Sequence, residues 1–434
     1  MKNLLKIIGL GVTFLVFTLN ASDFKYQPKD RKELIKLIQD KSVNLGEIDT
    51  SKITDMSFLF ANITKEDCFS VQTKRACLEV AKDYKIKQIN LSLFGYNPVR
   101  IGDDKFDRKD FSGIDKWDTS KVTNMESMFA LVENFNENIN SWDVSNVENM
   151  ESMFEGAKNF NQPLNKWNVS KVKNMSTMFS GASSFNQALN DWNVSNVETM
   201  AGMFQFARSF NQPLNKWNTS SLENISYMFQ NASSFNQSIN TWDVSKIRKM
   251  DNVFCKASSF NQPLNKWNTS KVIDMSMMFS GAKKFNQNIN SWDVSKVENM
   301  AAMFQDAVSF NQPLNDWNVS NVKIMSAMFY KASKFNQALD KWDTSKVIKM
   351  NAMFADAISF NQNINSWNVS KVKDMRMMFN KASSFNQPLN KWDVSNVVKM
   401  DLIFANASSF RQNIDDWKVK DFEENDLFFY VSIF

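Results

Sequence analysis

Apolar residues recur along this chain with a period far longer than that of any helix or strand. In the stretch from Phe160 to Ser184, FNQPLNKWNVSKVKNMSTMFSGASS, they are Phe160, Leu164, Trp167, Val169, Val172, Met175, Met178, Phe179 and Ala182, and the same positions are apolar 25 residues earlier and later. All 13 Trp fall in one register, from Trp117 in steps of 25 to Trp417. A fixed period of this length marks a solenoid, in which one unit cannot bury its own apolar face and a core closes only when units stack. The 434 residues therefore read as one quasi-linear array rather than the roughly two or three globular domains their number would suggest.

Within a unit, Trp167 and Val169 are two apart with Leu164 close by, which fits a short strand with both side chains on one face. Val172, Met175, Met178, Phe179 and Ala182 follow at spacings of three and four, which fits one side of a short helix or 3₁₀ turn. The pattern predicts an α/β repeat solenoid, with a parallel β-sheet on one face, short helices or 3₁₀ turns on the other, and strands stacked about 4.8 Å apart.

Residues 117–419 form the regular array. Ahead of it, 22–42 is predicted to cap the open end with an amphipathic helix over Asp30–Gln39, whose apolar residues are Leu34, Ile35, Leu37 and Ile38. Residues 43–116 read as a degenerate first coil, IDTSKITDMSFLF at Ile48 to Phe60 with Ile48 in place of Trp, followed by an insertion from about Ala61 to Asp110. Residues 420–434 read as a C-terminal cap or tail.

The recurring polar residues have structural explanations. Ser stands three places after Trp in 12 copies, and Asn follows Phe in 11. A tight coil leaves backbone groups unpaired at its corners, and short Ser and Asn side chains satisfy them. Pro163, Pro213, Pro263, Pro313 and Pro388 mark corners, where a missing amide donor does least harm. One row points outward, the residue between Trp and the following Val or Thr. It comprises Asp118, Asp143, Asn168, Asn193, Asn218, Asp243, Asn268, Asp293, Asn318, Asp343, Asn368 and Asp393, and is the candidate ligand face. A carboxylate ladder could take up calcium, although nothing resembles a calcium loop, and amide ladders also serve as structural glue.

Composition removes most catalytic chemistry. The chain has no His, so Ser/His and Cys/His pairs, imidazole acid–base catalysis and His-ligated zinc are excluded. Its carboxylates are spread along the coils, and its 10 Gly form no phosphate loop. The expectation is a non-enzyme with no cofactor and no metal. The net charge of +5 falls to +3 if Lys2 and Lys6 are removed, and acids and bases interleave, so no nucleic-acid partner is indicated. Lys2 and Lys6 precede an apolar run from Ile7 to Leu19 that ends at Asn20, Ala21 and Ser22, so 1–21 reads as a secretory signal peptide. That run is short for a membrane span, and no second one follows. Cys68 and Cys77 lie close enough in sequence to form a disulfide after export, and Cys255 stands alone. Asn-x-Ser/Thr triplets within the repeat, including those preceded by Asp191 and Asp316, read as by-products of the repeat.

The units SWDVSNVENMESMFEGAKNFNQPLN and WDTSKVTNMESMF resemble the repeats of the BspA-like bacterial surface proteins, a leucine-rich-repeat-like family, over about residues 43 to 419. The resemblance implies a right-handed coil with a parallel sheet. It also implies display at or release from the cell surface, with periplasmic residence as an alternative, and adhesion to host or bacterial surface proteins or glycans. The chain has neither a lipobox Cys nor a wall-sorting tail, two of the means by which such proteins are held.

Overall fold

A computed structural model describes residues 24–62, 89–91, 97–99 and 108–418. From Asn124 to Asn224 and again from Lys249 to Lys399, successive coils are joined by parallel β-bridges that recur every 25 residues, such as Asn149 with Asn174 and Asp374 with Lys399. The chain is therefore a solenoid whose long-range order is the translation of one unit.

The backbone of each unit shows why this order needs no long strands. In one coil the amides of Met175, Thr177, Phe179 and Gly181 donate to the carbonyls of Thr199, Ala201, Met203 and Gln205 of the next, at 2.7–3.0 Å. The amides between them turn back on their own coil: Met178 to Met175, Ser180 to Thr177 and Ala182 to Phe179, at 2.9–3.3 Å. The amide of Ser176 donates to the side chain of Asn174 at 2.9 Å. Each donor in the stretch is thereby paired, which a buried backbone requires.

This arrangement corrects the expected placement of strand and helix. The main-chain to main-chain bonding between coils runs through Met175–Gly181, where the sequence spacing suggested a helix, and not through Leu164–Val169. Trp167 and Val169 are buried with exposed Asn168 between them, as the alternation requires. That segment, however, lies between one turn closed by Trp167 N–H to the Leu164 carbonyl and another closed by Val172 N–H to the Val169 carbonyl, which leaves no length for pairing. A helix cannot form after it because Thr177 and Gly181 have φ of 53° and 71°. These two left-handed residues close turns whose end residues point into the core and whose middle residues point out. The described coils thus hold turns and single bridges where a sheet and helices were expected.

The left-handed positions recur in each coil and are filled by Gly in some copies and by residues such as Lys331 (φ 60°) and Ala352 (φ 55°) in others. Left-handed backbone disfavours any residue with a Cβ. Replacing exposed Lys331 by Gly is expected to raise stability by about 0.5–1 kcal/mol, against the usual rule for glycine. Lys331→Val is expected to lower it, and urea melts of the two variants measure the difference.

The core is one continuous cluster from Leu34 to Phe410. Phe129, Phe154, Phe179 and their equivalents through Phe404 form a column of near-parallel rings with centroids 5.5–5.8 Å apart. A second column runs from Phe135 to Phe410 at 5.7–6.1 Å. Both spacings lie in the offset-stacked range. Each of the 13 indole N–H groups donates to a backbone carbonyl of the preceding coil at 2.8–3.2 Å, which explains why Trp in particular repeats.

The N-terminal end is closed by helix α1, Arg31–Gln39, which buries Leu34, Ile35 and Ile38 and is N-capped by Asp30. Its Arg31 side chain donates to the carbonyl of Ser57, on the side of the first coil where no earlier coil lies. Arg108, almost fully buried, donates to Ile38 and Asp40 at the end of α1, to Val43, and to Asp110. The first coil stacks directly on the second: Asp55 bridges Asn124, 69 residues on rather than 25, so the insertion leaves and re-enters without breaking the stack. At the junction Gly113, with φ of 86°, approaches Gly46 so closely that an added Cβ would lie 2.4 Å from the Gly46 nitrogen. Inside the insertion, β1 (Ile89–Leu91) and β2 (Asn97–Val99) pair antiparallel. Residues 1–21, read from the sequence as a signal peptide, Cys68, Cys77 and the tail 420–434 lie outside the described residues.

Candidate interaction surface

All 12 residues of the outward row are exposed, one per coil from Asp118 to Asp393. Each also works locally. Its side-chain oxygen accepts the amide of the Ser two residues on, from Ser120 to Asp118 through Ser395 to Asp393, at 2.9–3.2 Å. This is an Asx turn, open to Asp and Asn alike, and it accounts for the irregular alternation of the two. Next to the row, Thr119, Thr219, Thr269 and Thr344 replace Val and donate their hydroxyls to the following coil at 2.9–3.0 Å.

The turn sets the charge of the row. Bonds from the Ser145 hydroxyl and amide hold the Asp143 carboxyl below its ordinary pKa, and Ser295 and Ser345 do the same for Asp293 and Asp343. At Asp243 the amide of Ser245 contributes most, followed by its hydroxyl. A carboxyl whose folded pKa is depressed stabilises the fold above its unfolded value of about 3.9, and that stability is lost as pH falls through the folded value. Replacing Asp143, Asp243, Asp293 and Asp343 together by Asn, the residue other copies already use, should keep the fold at pH 7 and shift acid unfolding to lower pH. Circular dichroism against pH reads this, and an unchanged acid midpoint would sink it.

The Asn row after Phe is structural throughout. From Asn136 to Asn386, each side-chain oxygen accepts the amide of the residue 25 positions later, at 2.9 Å. Inter-coil ion pairs such as Lys173 with Glu148 and Lys323 with Glu298 are exposed, so they add little stability and weaken in salt. An open groove of about 620 Å³ crosses three coils beside Pro263, Asn265, Gln287, Asn290 and Asp316. Among the described residues, no group of three or more His, Cys, Asp or Glu is placed to hold a metal, and no helix is long and apolar enough to cross a membrane. Cys255 is a buried free thiol, and burial pushes its pKa up.

Reasoning from the sequence missed a second surface, formed by the middle residues of the left-handed turns. It carries much of the variation between copies: where one coil has Gly202, the next has Tyr227, and where one has Gly181, the next has Phe206. Phe206, Tyr227, Met377 and Leu402 are exposed there. The available signal was this copy-to-copy variation on a constant frame.

The fold and its surfaces define a repeat solenoid whose described residues present side-chain rows rather than an enclosed pocket. The chain belongs to the family described as "Mycoplasma protein of unknown function, DUF285", whose profile matches residues 103–205, 164–265, 236–341 and 328–432. No curated protein matches. Among solved structures, the chain is similar to one described as "Crystal structure of TLR13-ssRNA13 complex", at 10% identity and a TM-score of 0.19. The match covers 74% of this chain and spans about half, 52%, of that one.

Proposed function

We propose that the protein is an exported, non-catalytic repeat protein, displayed on or released from the cell surface, that adheres to host or neighbouring-cell macromolecules. This reading places the chain among BspA-like surface proteins and takes their right-handed, leucine-rich-repeat-like winding with it. The observation that carries it is the outward row: 12 exposed acid or amide side chains, each fixed by its own turn on one continuous array. Such a row offers many weak, evenly spaced contacts, and linked contacts bind together far more strongly than singly. The absence of His from the sequence supports the non-catalytic part.

The test uses the purified full chain against immobilised host extracellular proteins and whole bacterial cells. Saturable binding is expected, and replacing Asp243, Asn268 and Asp293 together by Ser, which can still cap a turn, should weaken it while the melting temperature changes little. Protease shaving of intact cells, with N-terminal sequencing of the shed chain, tests export and cleavage near Ala21. A second reading, a passive spacer or variable coat, is favoured by the identity of FNQPLNKWN at Phe160, Phe210 and Phe260, because interchangeable coils can be gained or lost without harm to the fold. Deleting two coils separates them: loss of attachment with display intact excludes the passive spacer.

A further inference from the structure

Phe206 and Tyr227 occupy left-handed backbone, at φ of 57° and 63°, and remain 40% and 37% exposed. Neither condition suits an aromatic residue. The same positions in other coils hold Gly156, Gly181, Gly202 and Gly281, so the scaffold asks for no ring there. Two aromatic side chains that are both strained and half in water do little for folding, and such features concentrate where a protein meets a ligand.

The two residues lie in adjacent coils and are held rigidly. The Phe206 amide donates to the Gln230 carbonyl at 2.7 Å and the Tyr227 amide to the Asp251 carbonyl at 3.0 Å. Around them are planar polar groups. The Gln205 amide donates to the Gln230 side chain, and the Asp251 carboxylate accepts from the Ser226 hydroxyl at 2.7 Å. The main-chain amides of Gln205, Phe206, Tyr227, Gln230 and Asn231 are all engaged within the ladder, so an extended peptide finds no strand edge to join. The charged groups of these coils have both signs, with Asp251 and Asp274 acting on Tyr227 and Lys256 standing in the following coil, so no single sign of ligand is selected. The buried Phe204 and Phe229 rings beneath show that adjacent coils repeat at 5.8 Å, so a patch confined to two coils is narrow. A stable protein interface needs far more, about 800 Å² per partner.

We infer that this patch binds a neutral saccharide. The C–H face of a pyranose ring lies on Phe206 or Tyr227, and its hydroxyls pair with the amides of Gln230 and Asn231 and the carboxylate of Asp251. This deepens the adhesion reading by naming a ligand class, and rests on it. The experiment titrates the full chain with chitotetraose, cellotetraose and N-acetyllactosamine by calorimetry, for the parent, Phe206→Gly and Tyr227→Gly. Glycine is the scaffold's own residue at these positions, so both variants should melt at or above the parent temperature.

Saturable binding of at least one sugar, weakened about tenfold or more in each variant, is the expected result. Binding of none of the three, or binding untouched by both substitutions, overturns the inference. Cell or protein adhesion that is lost in the variants without any sugar binding also overturns it, and makes the patch a protein contact. Adhesion that survives in both variants while no sugar binds removes this site and leaves the broader adhesion reading standing.

Discussion

Replacing Trp267 by Ala is expected to cost about 3–5 kcal/mol and to split unfolding of the array into two steps. The side chain is 4% exposed, stacks on Trp292 with centroids 6.3 Å apart, and donates its indole N–H to the Ile239 carbonyl at 3.1 Å. Removing it opens a cavity shared by two coil interfaces in the middle of the stack. A solenoid is stabilised chiefly through its nearest-neighbour interfaces, so a weak one lets the two halves unfold separately. Trp267→Phe should cost less, about 1–2 kcal/mol, because the Ile239 carbonyl keeps the amide of Trp242. At the last described coil, partly exposed Trp417 should tolerate Ala better than Trp267 does. Urea unfolding followed by circular dichroism distinguishes these cases, and a single transition at the parent midpoint for Trp267→Ala would refute the argument.

Arg108→Ala is expected to unfasten the N-terminal cap at a cost of about 3 kcal/mol or more. One guanidinium serves the carbonyls of Ile38, Asp40, Val43 and Asp110, gathering the end of α1, the start of the first coil and the return of the insertion. Burial lowers its pKa from the ordinary arginine value, yet the group stays charged at any working pH. Removing it leaves several half-buried carbonyls without a donor. Lys cannot substitute, because an ammonium group lacks the planar fork that reaches partners on several sides. The expected sign is local: hydrogen exchange over residues 31–62 quickens while the coils beyond Asn149 keep their protection. Equal protection across 31–62 in the variant and the parent would show that the cap is held by apolar packing alone.

The repeat made the architecture legible, because a 25-residue apolar period has few physical solutions besides a stacked coil. It also marked the buried residues of each unit: Phe160, Leu164, Trp167, Val169, Val172, Met175, Met178, Phe179 and Ala182 are all buried. The conformation joining them was not legible. Spacings of three and four fit a helix and a run of tight turns equally well, and the choice rests on left-handed residues such as Thr177, Met277 and Ala352, whose identities do not announce it. Only Gly156, Gly181, Gly202 and Gly281 hinted at it. The outward row was legible as exposed, since it alternates with Trp and Val, but its Asx turns emerged only with the backbone in place. Phe206 and Tyr227 went unnoticed because a side chain that breaks the repeat reads as noise until its exposure is known.

The amino-acid sequence by itself determined the period, the stacking of identical coils, the composition of the core and the exclusion of histidine chemistry. These follow from which residues recur and which are absent, and periodicity survives translation into three dimensions unchanged. Only the tertiary structure decided where the coils bond to one another, because an amide can serve its own turn or the next coil, and the neighbouring coil settles the choice. The same holds for Arg108 and Asn124, which meet Val43 and Asp55 across 65 and 69 residues of sequence. Contacts of that range depend on how the chain returns to the stack, a property of the assembled fold and of no local pattern.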